Sequence, residues 1–357
     1  MLTPLGRADA FCRRFGLQLP ILLAPMAGVN APSLSIAVAN AGGLGSCGAL
    51  LMSPADIKAW VDQVRAGSKG AFQLNLWIPE PTAPRRDAEH EALVRDFLGK
   101  WGPMVPVGDG DAPLPDFSAQ CEALLEAAPP IVSSVMGLFP PEFVAAIKDR
   151  GIAWYANIST VAEARAAAAA GADVVVAQGM EAGGHRGCFD AATAETQMVG
   201  LFSLLPAVVD AVTIPVVATG GIADARGVAA ALLLGASAVQ IGTAFLRSPE
   251  AGLSSAWADA LATTAPEQTQ VSRVFSGRAG RSIATDYVRA ATGPDAPRPA
   301  PYPVQRALTA RMRAEGQKEG DAQRMQVWAG QSAAMAQAKP AAEITREVWH
   351  GAQALLP

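Results

Sequence analysis

The sequence predicts an α/β protein whose main body is a (β/α)8 TIM barrel, with a small additional module after strand eight. Short β-rich runs alternate with alanine-rich helical stretches, and there are eight such runs. Most are continuously apolar rather than alternating, which is typical of strands buried on both faces of a parallel sheet. The predicted strands are Ile21–Ala24, Leu44–Cys47, Ala71–Asn75, Ile131–Val135, Ala153–Asn157, Val174–Gln178, Val216–Thr219 and Ala238–Ile241.

The helical segments between these strands repeat one design. The clearest runs from Thr160 to Ala170, with Glu163 completing a capping box and Gly171 as the stop signal. The later segments AAAAAGADVVVAQG and AALLLGASAVQIGT both run helix, Gly-Ala turn, buried strand, glycine. Eight such units favour a closed barrel over an open sheet. The alternative, an open doubly wound sheet, needs a glycine-rich phosphate loop after the first strand, where this sequence has APMAGV.

Two segments interrupt the alternation of strands and helices. The stretch from 79 to 130 contains GPMVPVGDGDAPLPD, which predicts an extended loop over the barrel mouth. After residue 250 the alternation stops. We therefore predict a barrel of residues 1–253 and 322–357, and a small helical and loop module of residues 254–321 over the active site. A last helical segment, from about Ala322, is expected to return to the barrel.

Composition and charge exclude several classes of protein. Half of the 357 residues are apolar, the net charge is −4 and no basic run occurs, so nucleic acid and anionic membranes are poor partners. None of the four cysteines has CxxC spacing, so no metal site is predicted, and their scarcity fits a cytoplasmic location. No secretory signal is recognisable. The apolar run 228–246 is interrupted by polar residues and predicts a helix end followed by a strand, not a membrane span.

Glycine-rich loops follow the last two predicted strands. Gly220 and Gly221 come directly after the seventh, and Gly242 and Thr243 after the eighth. In barrel enzymes these loops often bind phosphate through backbone N–H groups and a helix N-terminus, and a side chain would keep the backbone away from the anion. Each pair alone could be only a tight turn. Together, on consecutive strands, they indicate a phosphate site.

The segment AQGMEAGGHRG follows the sixth predicted strand. Gln178 offers an amide to the edge of a ring system, and Gly183 and Gly184 let the chain pass close to a flat ligand. His185 then lies in a loop at the catalytic face, whereas the other two histidines lie in a charged stretch and in the tail. Because the ordinary pKa of histidine is near neutrality, His185 is the candidate general base. A phosphate-contacting or structural role is the alternative.

Several of these segments resemble the nitronate monooxygenase family, formerly called 2-nitropropane dioxygenases. The similarity spans about residues 20 to 335, and the EAGGH loop is shared mainly with the flavin-dependent enoyl-acyl carrier protein reductases. In the loop after strand four, some family members have a second histidine, whereas this sequence has Val135 and Met136. The matching segments are APMAGV at 24–29, QLNLW at 73–77, QGMEAGGHRG at 178–187, VVATGGIAD at 216–224, QIGTAF at 240–245, FSGRAGRS at 275–282 and WAGQSAA at 328–334.

The resemblance implies non-covalently bound FMN. Pro25 and Met26 would lie along the flavin, Asn75 and Gln178 would hydrogen-bond it, and His185 would lie near its reactive face. The full set of implied FMN contacts is Pro25, Met26, Asn75, Gln178, Gly183, Gly220, Gly221, Gln240, Gly242 and Thr243.

The implied activity is oxidation of alkyl nitronates with O2 to carbonyl compounds and nitrite. Neutral nitroalkanes would need His185 to remove the α-proton. Two alternatives stay open: an NAD(P)H-dependent flavin reductase of the enoyl-ACP reductase or quinone reductase type, and a barrel without redox chemistry that isomerises, synthesises or binds a phosphate-bearing ligand. The sequence decides neither the physiological substrate nor the oligomeric state.

Overall fold

Parallel strands form the barrel that the sequence predicts. The computed structural model describes residues 2–82, 85–111 and 113–357. The strands are β1 (Ile21–Leu23), β2 (Gly45–Gly48), β3 (Phe72–Trp77), β4 (Ile131–Val135), β5 (Ala153–Ile158), β6 (Val174–Gln178), β7 (Gly184–His185), β8 (Val216–Thr219), β9 (Ala238–Ile241), β10 (Thr269–Ser272) and β11 (Gly280–Ile283).

Eight of these strands pair side by side in the order β1-β9-β8-β6-β5-β4-β3-β2. A bridge between Leu22 and Leu44 joins the two outermost strands and closes the ring. All eight predicted strands are confirmed, with their ends shifted by two residues at most. The alternative of an open doubly wound sheet is wrong, because the first strand pairs with the last one.

Helices surround the barrel and alternate with its strands. They are α1 (Pro4–Phe15), α2 (Pro32–Asn40), α3 (Pro54–Gly67), α4 (Ala88–Leu98), α5 (Phe117–Ala127), α6 (Pro141–Asp149), α7 (Val161–Ala169), α8 (Leu201–Ala211), α9 (Ala225–Leu233), α10 (Ser255–Thr263), α11 (Asp286–Ala291), α12 (Val304–Leu308), α13 (Ala310–Glu319) and α14 (Ala341–Leu355). The main hydrophobic core lies between the barrel strands and the helices that alternate with them.

The start of α7 confirms half of the predicted capping box. The Thr160 hydroxyl accepts the Glu163 N–H, as expected of an N-cap. The Glu163 carboxylate does not accept the Thr160 N–H, which is the other half of a capping box. It accepts the N–H and hydroxyl of Ser159 and the N–H of Phe189, so it ties the helix to the loop after β6.

A second, smaller core lies under the segment that follows the barrel. Its buried members include Val274, Phe275 and Tyr287, and α4 contributes Val94 and Leu98 to it. Beside this core, β10, β11 and the short β7 form a three-stranded antiparallel sheet, so the segment is not only helix and loop. The division at residues 254 and 321 stays a prediction.

Two expectations about the irregular segments are corrected. Residues 79–130 include α4 and α5, and the loop between them has a 3-10 turn at Val107–Asp111 that packs on α12. Asp109 in this turn pairs with Arg311 on α13, while Ala112, in the predicted extended loop, lies outside the described residues. The last helix begins at Ala341 and not near 322; it packs against α9 and α2.

The apolar run 228–246 is the end of α9 followed by β9, as predicted. Among the described residues, no helix is both long and apolar enough to cross a membrane. The four cysteines are all buried and form no disulfide.

Candidate active site

A cavity of about 300 Å³ lies at the carboxyl ends of the barrel strands. It is lined by every residue that the sequence singled out for the site: His185 and the ten implied FMN contacts. The loops after β1, β6, β8 and β9 and the side chains of β3 bring them together. The structure therefore places residues from 25 to 243 of the chain around one space, whereas their chemical roles stay predictions.

The glycine loops after β8 and β9 form one wall of this cavity. The N–H groups of Gly220, Gly221, Gly242 and Thr243 donate to no acceptor within the part of the chain that the structure describes. These four residues are half-buried or exposed, so their N–H groups are open to a ligand from the cavity. A cluster of free backbone donors on a cavity wall suits an anionic ligand. Gly220 and Gly221 have φ of +113° and +70°, which only glycine adopts readily.

The helix after the first of these loops is capped by its own chain. The Asp224 carboxylate accepts the N–H groups of Arg226 and Gly227 at the start of α9. That a helix N-terminus also faces the anion stays a prediction. The four free donors named above belong to the loops themselves.

A late segment of the chain covers this wall. The Gly330 N–H donates to the Thr243 hydroxyl at 3.0 Å, and the Ser332 hydroxyl donates to the Gly221 carbonyl at 2.5 Å. A Cβ on Gly183 would lie 2.5 Å from the Gly330 nitrogen. Gly183 therefore has to be glycine because this segment packs on it, and its contact with a flat ligand stays a prediction.

Amide side chains line the wall that the barrel strands supply. The Asn75 Nδ2 donates to the Ser133 hydroxyl at 3.0 Å, and Gln240 Oε1 accepts from Gln73 at 3.2 Å. Gln178 bonds to the histidine loop instead: its Nε2 donates to the His185 carbonyl, and its Oε1 accepts the Gly187 N–H. Gln178 therefore holds the loop in place, with one Nε2 hydrogen left for a ligand.

Asn157 is a site residue that the sequence analysis missed. Its Nδ2 is buried without a partner and its side chain lines the cavity. Its only sequence signal is its place at the end of a predicted strand. Val135 and Met136, where some family members have a second histidine, also line the cavity and make that wall apolar.

His185 is fixed by backbone pairing and by aromatic rings. It pairs with Gly280 across β7 and β11, so the module sheet holds its loop. Its ring lies 4.8 Å from that of Trp77 and 4.9 Å from that of Trp328. Tyr302 stacks on the other side of Trp77, with ring centroids 4.8 Å apart and planes 10° apart.

A hydrogen bond to Ser276 orients the imidazole. The His185 Nε2 lies 2.8 Å from the Ser276 hydroxyl, which donates its own proton to the Arg278 carbonyl at 3.1 Å. The Ser276 hydroxyl also accepts the Arg278 N–H at 3.2 Å. Nε2 is therefore the ring nitrogen that the protein engages, and Nδ1 makes no hydrogen bond to the described residues.

Burial, followed by the charges of Arg278 and Arg306, lowers the pKa of His185 to about 3. The imidazole is therefore neutral at physiological pH. The expectation of an ordinary histidine with a pKa near neutrality is wrong, because sequence alone does not show which cations pack around it. His185 is a weaker base than that expectation assumed.

Other missed residues come from the segments that resemble the family and from residues 254–321. Trp77 ends QLNLW, Ser276 lies in FSGRAGRS and Trp328 begins WAGQSAA, so the motifs were visible but not their roles. Arg306 and Arg313 also line the cavity, and no Asp or Glu does among the described residues. The cavity wall around His185 is thus aromatic and positively charged.

Known proteins resemble this chain over almost its whole length. A family model described as nitronate monooxygenase matches residues 10–351. A nitronate monooxygenase from Paraburkholderia phytofirmans is 36% identical over 341 residues, which are 93% of this chain and 92% of that protein. One from Pseudomonas aeruginosa is 36% identical over 342 residues, with 95% and 97% covered.

Solved structures agree with these sequence matches. Nitroalkane oxidase from Streptomyces ansochromogenes is 36% identical and superimposes with a TM-score of 0.86, covering 95% of this chain and 96% of that one. This superposition agrees with the barrel fold described above. The chain therefore belongs to the nitronate monooxygenase family and is an oxidoreductase.

Proposed function

We propose that the protein is an FMN-dependent nitronate monooxygenase, which oxidises alkyl nitronates with O2 to carbonyl compounds and nitrite. The observation that supports this most is the charge around His185. The imidazole is neutral, two arginines line the same cavity, and no carboxylate lines it among the described residues. Such a wall favours an anionic substrate, and a nitronate is the anion of a nitroalkane.

The fit to FMN rests on the free N–H groups of the two glycine loops. One cluster of donors matches one phosphate, which distinguishes FMN from a dinucleotide. Gly220, Gly221, Gly242 and Thr243 would hold that phosphate. When bound, FMN supplies the electron transfer between the nitronate and oxygen.

The remaining contacts would come from the first strands and the amide side chains. Pro25 and Met26 follow β1 and lie on the cavity wall, and Met26 lies next to Gly242 of the neighbouring loop after β9. Asn75, Gln178 and Gln240 present amide groups to the same space, and Gly183 would lie along the ring system.

We propose that His185 positions the substrate and serves as a base only for neutral nitroalkanes. Taking up a proton there would place an imidazolium beside two arginines, which is unfavourable. A nitronate has already lost its α-proton and requires no such step. The enzyme should accordingly prefer nitronates to nitroalkanes at the same pH.

Two further assignments belong to this proposal. We assign residues 254–321 as the module that brings Ser276, Tyr302 and Arg306 to the cavity. The buried, unpaired cysteines support a cytoplasmic location, because a reducing compartment keeps thiols free.

Purification tests the cofactor directly. We expect a yellow protein that releases one FMN per chain on heating, identified by chromatography. Recovery of FAD would contradict the single-phosphate site, and a protein that binds no flavin after reconstitution would contradict the whole proposal. It would favour a barrel without redox chemistry.

Anaerobic mixing with each electron donor distinguishes a nitronate monooxygenase from an NAD(P)H-dependent reductase. A nitronate should bleach the flavin absorbance, and NADH or NADPH should not. Bleaching by a nicotinamide and not by a nitronate would favour the reductase alternative.

A further inference from the structure

Arg306 is a cation on the cavity wall without a protein partner. It lies on α12, lines the cavity and is only partly buried. Its guanidinium makes no hydrogen bond or ion pair with any residue in the described ranges. The other arginine of the wall differs: the Arg313 guanidinium donates to the Thr309 hydroxyl, to Gln326 and to the Arg306 carbonyl.

A third arginine nearby also has protein partners, although its Nε has none. The buried Arg278 pairs with Glu80 and donates to the Cys188 carbonyl. Arg278 and Arg313 therefore have structural partners, whereas Arg306 has free donors that face the cavity. A partly buried guanidinium without an acceptor is unfavourable unless water or a ligand supplies one.

The position of Arg306 separates it from the cofactor phosphate. Arg306 follows Tyr302 by four residues, and both line the cavity together with His185. The charge of Arg306 contributes to lowering the pKa of His185, which agrees with this placement. Tyr302 stacks on Trp77 next to His185. The glycine loops, in contrast, are covered by residues 330–332. An anion bound by Arg306 would therefore lie beside His185.

We propose that Arg306 binds the anionic oxygens of the substrate and thereby selects the ionised nitronate over the neutral nitroalkane. This inference rests on the proposed function. A guanidinium is planar and donates two parallel hydrogen bonds, a geometry that fits a group with two oxygens on one atom. Both a nitronate and a carboxylate have that geometry, so the oxygens could belong to the nitronate group or to a second acidic group of the substrate.

The test compares Arg306→Gln and Arg306→Lys with the wild-type holoenzyme. Arg311→Gln is the matched control, because Arg311 is a more exposed arginine on the next helix that pairs with Asp109 and does not line the cavity. The substrates are propyl-1-nitronate, neutral 1-nitropropane and the nitronate of 3-nitropropionate, which has an additional carboxylate. Oxygen consumption gives KM and kcat for each.

We expect Arg306→Gln to raise KM for nitronates by roughly 10- to 100-fold, the usual effect of losing a charged hydrogen bond. KM for 1-nitropropane should change little. The KM of Arg306→Lys for nitronates should lie between those of the wild type and Arg306→Gln, and the KM of Arg311→Gln should match that of the wild type. Equal losses on both nitronates support the proposal and assign Arg306 to the nitronate oxygens. A loss confined to the 3-nitropropionate form shows that Arg306 binds the second acidic group, and it overturns the selection of nitronate over nitroalkane. No loss on either, or the same loss on neutral 1-nitropropane, overturns the proposal.

A binding measurement keeps this test independent of turnover. Butyrate and butyramide have the same shape, differ in charge and are not oxidised, so calorimetry can compare their affinities. The wild type should prefer butyrate, and Arg306→Gln should lose that preference. Should the wild type oxidise no nitronate, the proposed function fails, while the butyrate and butyramide pair still decides whether Arg306 binds anions.

Discussion

The two ends of the cavity are built in different ways. The phosphate end, formed by Gly220, Gly221, Gly242 and Thr243, presents backbone N–H groups and no charged side chain. The His185 end presents side chains: two tryptophans, a tyrosine, a serine and an arginine around the imidazole. Binding by backbone N–H groups requires that no side chain blocks them. Binding by side chains depends on which residues are present. The two ends should therefore respond differently to substitution.

The largest effect is expected at the phosphate end, from Gly242→Asp. Gly242 has an ordinary φ of −114°, and a Cβ there would lie 3.3 Å from Ala24 Cβ, so the fold should tolerate a small side chain with slight adjustment. The carboxylate would repel the phosphate and block the approach to the N–H groups. We expect complete loss of FMN, measured by absorbance after gel filtration, with the circular dichroism spectrum retained.

Gly221→Asp should lose FMN as well, but its φ of +70° adds backbone strain. Gly252→Asp is the control for that strain, because Gly252 has φ of +64°, open space around it and no place on the cavity wall. Full flavin content in Gly242→Asp would show that this glycine is only a turn.

That the two glycine loops lie together could be predicted from the sequence because the signal is local, whereas their binding of phosphate stays a prediction. Glycines directly after buried strands mark loops at the carboxyl edge, and consecutive strands of a barrel bring such loops together. The eight strands were predictable for the same reason: each is a short apolar run bounded by turn residues. The sequence analysis did not assign Asp224 as the cap of α9, which the structure shows.

The His185 end could not be predicted in the same way, because its contacts join distant parts of the chain. Trp77 and Tyr302 stack although 225 positions separate them, and Ser276 contacts His185 across 91 positions. No local pattern marks such pairs. The lowered pKa of His185 also depends on Arg278 and Arg306, and no local pattern in the sequence indicates that they lie beside it.

A smaller but selective effect is expected at the His185 end, from His185→Asn. Asparagine keeps some hydrogen bonding but takes up no proton at neutral pH. Activity on a neutral nitroalkane should fall by roughly a hundredfold or more, the usual effect of losing a general base. Activity on the pre-formed nitronate should fall much less, and FMN content should stay near normal. Oxygen consumption on one preparation measures both.

His350→Asn is the control for this variant, since His350 is exposed on α14 and does not line the cavity. Equal losses on both substrate forms would mean that His185 orients the substrate and removes no proton. Unchanged activity on both would exclude His185 from the chemistry. Retained FMN in His185→Asn would sharpen the contrast with Gly242→Asp.

The smallest effect is a difference in the pH dependence of stability. Folding lowers the pKa of His185 from about 6.5 in the unfolded chain to about 3. Between these values the unfolded chain binds a proton that the folded protein does not, so this residue destabilises the fold as the pH falls below 6.5 and has no such effect above it.

His185→Asn removes this difference in proton binding. Between pH 7.5 and pH 5, its Tm should therefore fall less than that of the wild type, by roughly 2 to 3 °C. The 1.5 pH units below 6.5 are worth about 2 kcal/mol, and the unfolding entropy of 357 residues is about 0.75 kcal/mol per kelvin. Thermal unfolding at constant ionic strength with excess FMN measures this, and His350→Asn should follow the wild type because its side chain is exposed. Parallel curves for His185→Asn and the wild type would show that His185 titrates alike in the folded and unfolded chain, and that the arginines of this end do not hold it neutral.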